Sequence, residues 1–167
     1  MRGRTWRKGE SRKSRVGRVA DGAFLRPEPA VASAPMTDTA QLKPVVSQKL
    51  PPPAGPYSPG MAIGNLVFVS GQAGRDPETG NIPADLEGQT EQALKNVEAI
   101  LVEAGSSLLH VIRCGVFLVD MQEFQKMNGV YSRMFGSHRP ARTTVEVSGL
   151  PGPGLKVEID AIAVIPG

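Results

Sequence analysis

The most regular hydrophobic pattern in the chain lies between residues 86 and 104. Apolar residues recur there at helical spacing and share one face, made of Leu94, Val97, Ile100, Leu101 and Ala104. Gly105 follows directly, and glycine is typical of the position that ends a helix. The pattern therefore predicts a helix over residues 86–104 with one buried face.

A second helix is predicted after residue 120. Asp120 and Glu123 stand at the spacing of a capping box, in which each side chain accepts from the other residue's backbone N–H. The residues that follow keep the helical period, with an apolar face made of Phe124, Met127, Tyr131 and Met134. We expect this helix to begin with a reciprocal cap at Asp120 and to bury that face.

Short apolar runs rich in β-branched residues predict six strands. They span residues 45–47, 61–63, 66–70, 111–119, 141–147 and 155–165. The order along the chain is therefore ββ-β-α-β-α-β-β. Helices that follow separate strands predict an α+β fold, a single domain in which both helices cover one face of one sheet.

The pattern of the last strand indicates whether the other face of that sheet can stay in contact with water. One set of alternating side chains is wholly apolar: Val157, Ile159, Ala161, Ala163 and Ile165. The opposite set combines charged with apolar residues: Lys156, Glu158, Asp160, Ile162 and Val164. Helices on one side alone would leave these apolar positions in water, so the pattern predicts an oligomer that covers them.

Charge divides the chain into a basic N-terminal segment and a mildly acidic remainder. Residues 1–35 hold nine Lys or Arg and three Asp or Glu, whereas the rest of the 167 residues hold ten and thirteen. The acidic remainder argues against nucleic acid as a partner of the domain.

No apolar run approaches the roughly 18 residues that a membrane span needs, so no membrane partner is expected. The single cysteine, Cys114, is compatible with a reducing, cytoplasmic location.

Residues 1–40 are predicted to be a disordered basic extension, and residues 41–167 the folded domain. The extension is Arg-rich, lacks a sustained apolar period and contains a stretch rich in proline and alanine. Three interpretations stay open: an organelle transit peptide, a basic arm that binds nucleic acid, or a stretch upstream of a true translation start at Met36. The last is preferred, since Met-Thr-Asp-Thr is typical of an ordinary N-terminus.

The chain carries no general-purpose catalytic motif. It has no phosphate-binding loop, nucleophile elbow or zinc-ligand pattern, and its two histidines, His110 and His138, give histidine acid–base catalysis little support. Polar residues stand instead beside glycines and prolines in four segments: 55–60, 70–72, 140–147 and 156–161.

In these four segments the chain resembles the RidA/YjgF family. The block 140–147, Pro-Ala-Arg-Thr-Thr-Val-Glu-Val, and the block 157–163, Val-Glu-Ile-Asp-Ala-Ile-Ala, are similar to the family signature. All four segments occur in the family's order, over residues 45–165. The resemblance implies a chorismate-mutase-like fold with a six-stranded mixed sheet and two helices, assembled as a homotrimer with active sites in the clefts between subunits.

The resemblance also implies roles for six residues. Arg142 matches the arginine that holds a substrate carboxylate, a task suited to its rigid fork of charged donors. Glu158 matches the glutamate that positions or polarises the attacking water. These two are the expected catalytic residues, and four others match positions that line the family's substrate cleft: Tyr57, Ser70, Gly71 and Thr144. Several relatives have cysteine at the Thr144 position, so a hydroxyl is available there but a thiol is not.

The implied function is hydrolysis of reactive 2-enamine and 2-imine acids, of the 2-aminoacrylate and 2-aminocrotonate type, to 2-keto acids and ammonia. An imine carbon is already electrophilic, so an anchored carboxylate and a delivered water suffice without metal or cofactor. Three alternatives stay open. They are an RNA-acting protein of the endoribonuclease or translation-inhibitor type, a non-catalytic trimer that binds ligands in the same clefts, and a hydrolase of related amides or carbamates.

Overall fold

Six strands and two helices, in the predicted order, make up residues 41–167, the part of the chain that the computed structural model describes. The strands are β1 (Lys43–Val45), β2 (Gly60–Ile63), β3 (Leu66–Ala73), β4 (Val111–Leu118), β5 (Ala141–Glu146) and β6 (Val157–Val164), and the helices are α1 (Leu86–Glu103) and α2 (Phe124–Phe135). Short 3₁₀ turns precede β4 (Leu108–His110) and α2 (Met121–Glu123). The basic extension predicted over residues 1–40 lies outside the described residues.

All six strands join one mixed sheet in the order β1-β2-β3-β6-β4-β5. The β4–β5 pair is parallel, and the other neighbours are antiparallel. The C-terminal strand β6 therefore runs between β3 and β4 in the middle of the sheet, while β5 forms an edge. The α+β class, the six-stranded mixed sheet and the two helices are confirmed.

Both helices pack on the face of the sheet that β6 presents through its apolar set. Val157, Ile159, Ala161 and Ala163 are buried, and the residues between them stay partly exposed, as the alternation predicted. They share one core with residues of both helices, among them Leu94, Ile100, Leu101 and Met127. Full burial of each such large aliphatic side chain contributes about 1.5–3 kcal/mol.

The other face of the sheet keeps apolar side chains in contact with solvent within one chain. Phe68 of β3 and Ile162 of β6 are cross-strand partners there, and Phe68 is 41% exposed. Val145 of β5, on the same face, is 39% exposed. This face fits the predicted oligomer, and the homotrimer itself stays a prediction.

The first strand begins earlier than the hydrophobic run suggested. It spans Lys43–Val45, and its register joins Lys43 to Ala62 and Val45 to Gly60. Pro44 lies within it, which is tolerated because β1 is an edge strand and needs no N–H at every position. The prediction of residues 45–47 thus identified the strand and misplaced its bounds.

The reciprocal capping box predicted between Asp120 and Glu123 is wrong. The Asp120 carboxylate accepts from the backbone N–H of Gln122 at 2.9 Å, but the turn it caps is the 3₁₀ turn, and α2 begins only at Phe124. The Glu123 carboxylate forms ion pairs with Lys126 at 3.0 Å and Lys156 at 3.6 Å. These lysines compete for the carboxylate that a capping box would have turned back to Asp120.

Candidate active site

Glu158 points away from the helices, into the open face of the sheet. It pairs with Ala73 of β3 on one side and Phe117 of β4 on the other. A methyl group placed on Gly71 would lie 2.0 Å from Oε1 of Glu158, far inside contact distance. The glycine therefore leaves room for the carboxyl group to lie over β3.

The surroundings of Glu158 favour its neutral form. Burial raises the pKa of this carboxyl, and the negative charge of Asp160, two residues along the same face, raises it further. Asp160 itself accepts a hydrogen bond from the backbone N–H of Gly115 at 2.6 Å. Glu158 consequently keeps its proton to a higher pH than an exposed glutamate, which suits a group that must take up and return a proton.

A cavity of about 410 Å³ opens beside this carboxyl group. Its polar lining consists of Tyr57, Gln72, Arg75, Asn96 and Glu158. The proline-rich loop 50–59 and residues near Pro151 supply most of the apolar wall. A concave, largely apolar space with a few converging polar groups is the usual form of a small-molecule site.

Ser70 holds the loop that carries Tyr57. Its hydroxyl donates to the carbonyl oxygen of Ser58 at 2.7 Å, and its backbone N–H donates to that of Pro59 at 2.9 Å. Since the hydroxyl proton is engaged, Ser70 offers a ligand only the lone pairs of its oxygen. Tyr57 lines the cavity and is 51% exposed, so its ring and hydroxyl are accessible.

Gln89 of α1 fixes the chain just before β6. Its Nε2 donates to the carbonyl oxygens of Pro83 and Gly154, both at 2.8 Å, and its Oε1 accepts from the backbone N–H of Lys156 at 2.7 Å. A fully buried amide with these partners is a well-satisfied polar group. It anchors the strand two residues before Glu158, so α1 contributes to the position of that carboxyl.

Arg142 lies on β5 and faces α2. Its guanidinium carbon lies 4.6 Å from the centre of the Tyr131 ring and 5.6 Å from that of the Phe124 ring, distances at which a cation is attracted to an aromatic face. Nη1 also contacts the sulfur of Met127 at 4.0 Å. No oxygen atom of residues 41–167 accepts a hydrogen bond from this guanidinium, so its fork of donors is available to an anion.

A second cavity, of about 600 Å³, opens beside Arg142 and is also lined by Tyr131, Ser132 and Arg139. The hydroxyl group of Thr144 is buried without a hydrogen-bond partner among the described residues, whereas the side chain of Tyr131 contacts that of Cys114. Cys114 is a core residue, and burial raises the pKa of its thiol. The Arg142 side of the molecule thus combines a cation without an oxygen acceptor in the described chain with the unpaired Thr144 hydroxyl.

Within one chain, Arg142 and Glu158 do not meet. β4 lies between their strands, where Arg142 pairs with Cys114 and Glu158 pairs with Phe117. Sheet geometry then places their Cα atoms about 14 Å apart, and their side chains point to opposite faces. The predicted site residues form two half-sites: the Glu158 half-site, with Tyr57, Ser70 and Gly71, and the Arg142 half-site, with Thr144.

The sequence did not single out three polar residues that build the Glu158 half-site or line its cavity: Arg75, Gln89 and Asn96. Gln89 and Asn96 lie on the buried side of α1, where a polar residue inside an apolar pattern is the signal that was available. Arg75 lies in the turn after β3 and gave no such signal.

Among residues 41–167 no helix is long and apolar enough to cross a membrane, and no cluster of potential metal ligands occurs.

Comparison with known proteins agrees with this fold. A family profile described as Endoribonuclease L-PSP matches residues 47–165. A RutC family protein of Pyrococcus abyssi is 48% identical over 120 residues, which cover 71% of this chain and 94% of the relative. The 2-iminobutanoate/2-iminopropanoate deaminase of Escherichia coli is 39% identical over 125 residues, covering 73% of this chain and 97% of the enzyme.

Solved structures show the same architecture. Escherichia coli TdcF with bound serine superposes with a TM-score of 0.70 at 42% identity, over 73% of this chain and 98% of TdcF. The fold described above is that of a small α+β protein built on one mixed sheet. This chain belongs to the Endoribonuclease L-PSP family, the RidA/YjgF family that its sequence resembles.

Proposed function

We propose that this protein hydrolyses 2-imino acids to 2-keto acids and ammonium. A water molecule adds its oxygen to the iminium carbon and gives one proton to Glu158, so that a carbinolamine forms. Glu158 returns this proton to the nitrogen. The C–N bond then breaks with its electron pair on nitrogen, and the remaining hydroxyl proton goes to ammonia. Water is consumed, and Glu158 ends the cycle ionised as it began.

The environment of Glu158 is the observation that carries this proposal. Its carboxyl group borders a cavity of about 410 Å³, lies over Gly71 and has a raised pKa. A proton-transfer group works best when its pKa approaches the working pH. A carboxylate with an ordinary pKa would be a weaker base toward the attacking water, so the raised pKa favours uptake of the proton by Glu158.

Arg142 is the proposed anchor for the substrate carboxylate. Its guanidinium carbon lies 4.6 Å from the centre of the Tyr131 ring, and its N–H donors have no oxygen acceptor in the described chain. A bidentate pair with a carboxylate satisfies such a fork in one step. The buried, unpaired Thr144 hydroxyl on the same strand is a further donor for the ligand.

We propose that a homotrimer brings the two half-sites together, the Arg142 half-site of one copy meeting the Glu158 half-site of the next. The separation of the half-sites within one chain supports this assembly, because a single copy cannot hold both ends of a small substrate. The exposed apolar face with Phe68 and Val145 supports it as well, since association covers that face.

The relatives agree with this chemistry. The Escherichia coli enzyme is named for deamination of 2-iminobutanoate and 2-iminopropanoate, and TdcF was crystallised with serine, a small amino acid with a free carboxylate. A substrate of that size, with one carboxylate, matches an anchoring arginine and a single proton-transfer glutamate.

A coupled assay tests the proposal. A threonine or serine dehydratase supplies the imine, and keto-acid release is followed with and without this protein. We expect the wild-type chain to accelerate release, and Glu158→Gln, which keeps the shape of the side chain, to lose most of that acceleration. Glu103→Gln, at an exposed position near the end of α1, is the matched control and should behave as wild type. No acceleration by the wild-type chain contradicts the proposal.

RNA cleavage is the alternative function that the family description names. The described domain gives it little electrostatic support, since residues 41–167 hold ten Lys or Arg and twelve Asp or Glu. Incubation of the same preparations with single-stranded RNA decides between the two. Cleavage that Glu158→Gln abolishes, without imine hydrolysis, would replace the proposed function.

A further inference from the structure

Arg75 is the one cationic residue among the described residues that line the Glu158 cavity. It lies in the turn after β3, four residues beyond Gly71, and shares the cavity wall with Tyr57 and Glu158. The proposed imine hydrolysis gives it no task, because Arg142 holds the carboxylate next to the imine carbon. Its charge is therefore available for another part of the ligand.

The structure holds Arg75 in place at both ends. Asn96 of α1, only 6% exposed, donates from Nδ2 to the carbonyl oxygens of Ala73 at 3.1 Å and Arg75 at 2.9 Å. At the other end, Nη1 of Arg75 donates to the carbonyl oxygen of Gly80 at 2.8 Å. One edge of the guanidinium is thereby fixed, and the remaining N–H donors are left free.

No carboxylate of residues 41–167 forms an ion pair with Arg75. The neighbouring Asp76 is engaged within its own turn, where its carboxylate accepts from the backbone N–H groups of Glu78 at 2.9 Å and Thr79 at 2.8 Å. The acid nearest in sequence is thus directed away. A positioned, unneutralised guanidinium at a cavity wall is a receptor for an anion.

The cavity also has room for more than the smallest imine acids. A water molecule takes up about 30 Å³ of the liquid, so a cavity of about 410 Å³ holds on the order of a dozen water-sized groups. A ligand such as 2-aminoacrylate has about half as many non-hydrogen atoms, which leaves space between the imine and Arg75 for a longer side chain.

On these grounds we propose that Arg75 binds an anionic group on the substrate side chain and directs the protein toward imines of dicarboxylic amino acids. The inference rests on the proposed imine hydrolysis and assigns the two arginines separate tasks. Arg142 binds the carboxylate beside the imine carbon, and Arg75 binds the distal carboxylate. Neutral imines are still hydrolysed, without the contribution of Arg75.

A comparison of kcat/KM for two imines tests the role of Arg75. An amino-acid oxidase generates the neutral imine from alanine, an aspartate oxidase generates the dicarboxylic imine from aspartate, and kcat/KM is measured for both. Arg75→Gln should lower kcat/KM for the dicarboxylic imine by about tenfold, the loss expected for one charge-assisted contact, and leave the neutral imine within about twofold. Arg75→Lys should recover part of the loss. Arg133→Gln, at an exposed arginine paired with Glu91, is the matched control.

Calorimetry separates the role of Arg75 from hydrolysis itself. The probes are 2-oxoglutarate and 2-oxobutyrate, and wild type should bind the dicarboxylate more tightly, by a margin that Arg75→Gln removes. If no imine is hydrolysed but this margin is found, the proposed function fails and anion binding by Arg75 stands. Equal affinity of wild type for both probes, or equal losses of both activities in Arg75→Gln, overturns the inference and leaves Arg75 as a residue that merely fixes its turn.

Discussion

Replacement of Arg142 by lysine separates charge from geometry at the proposed carboxylate anchor. The guanidinium carbon of the arginine lies 4.6 Å from the centre of the Tyr131 ring, a cation–π contact that helps to hold the group in place. Lysine keeps the positive charge but lacks the planar fork, so it cannot donate two parallel hydrogen bonds to one carboxylate. Alanine removes both the charge and the stacking.

The expected loss follows from the contact that disappears. A hydrogen bond to a charged group is worth about 1.5–3 kcal/mol, and about 1.4 kcal/mol corresponds to a tenfold change in rate. Arg142→Lys should therefore lower kcat/KM for imine hydrolysis by about ten- to a hundredfold, and Arg142→Ala by more. The lost cation–π contacts should reduce the free energy of unfolding by only about 0.5–2 kcal/mol, so both variants should fold.

The dehydratase-coupled assay measures the rate, and light scattering together with thermal unfolding reports assembly and stability. Arg133→Lys is the matched control, because that arginine is exposed and pairs with Glu91 on the surface. It should retain the wild-type rate. If Arg142→Ala is folded, assembles as wild type and hydrolyses the imine at the wild-type rate, the carboxylate-anchor reasoning is refuted.

Three further changes probe the Glu158 half-site. Gly71→Ala should fold, since the flexible Glu158 carboxyl can swing away from the new methyl group, but should lose most imine hydrolysis; full activity would contradict the close fit. Because the folded-state pKa of Glu158 is raised, kcat/KM should fall on the acid side at a higher pH than exposed glutamates titrate, and the contribution of Glu158 to stability should decline as pH rises through that pKa. Glu158→Gln should remove that part of the stability profile in pH-dependent melts, and an unchanged profile would contradict the sign. Gln89→Leu should lower the free energy of unfolding by about 1–3 kcal/mol, since Lys156 N–H loses its acceptor; denaturant titration measures it, and a neutral result would show that Gln89 does not anchor β6.

Local patterns predicted the fold well where burial follows a simple period. The alternation along β6 and the apolar stripe of α1 both specify one buried face, and both were confirmed. The order β3-β6-β4 depends on pairing between distant segments, which no local pattern shows. The failed capping box at Asp120 has a partly local cause, because Lys126 pairs with the Glu123 carboxylate at 3.0 Å from three residues away. Lys156, from a distant part of the chain, adds a second ion pair at 3.6 Å.

The sequence also predicted part of the candidate site. The motif residues Arg142 and Glu158 could be identified from the sequence, and the structure adds that they lie on opposite faces of the sheet. Arg75 could not be identified as a site residue from the sequence, because its position beside the cavity depends on how the turn after β3 folds. The stacking of Arg142 on Tyr131 likewise joins a strand to a helix residue that had been assigned to the core alone.

Mixed assembly of two inactive variants tests the central claim that one site needs two copies of the chain. Arg142→Ala lacks the Arg142 half-site, and Glu158→Gln lacks the functional Glu158 half-site. When the two are co-expressed in equal amounts and purified together, a random interface pairs both intact halves in one of four arrangements, so about a quarter of wild-type imine hydrolysis should return. Co-assembled variants that stay as inactive as either variant alone would contradict the claim.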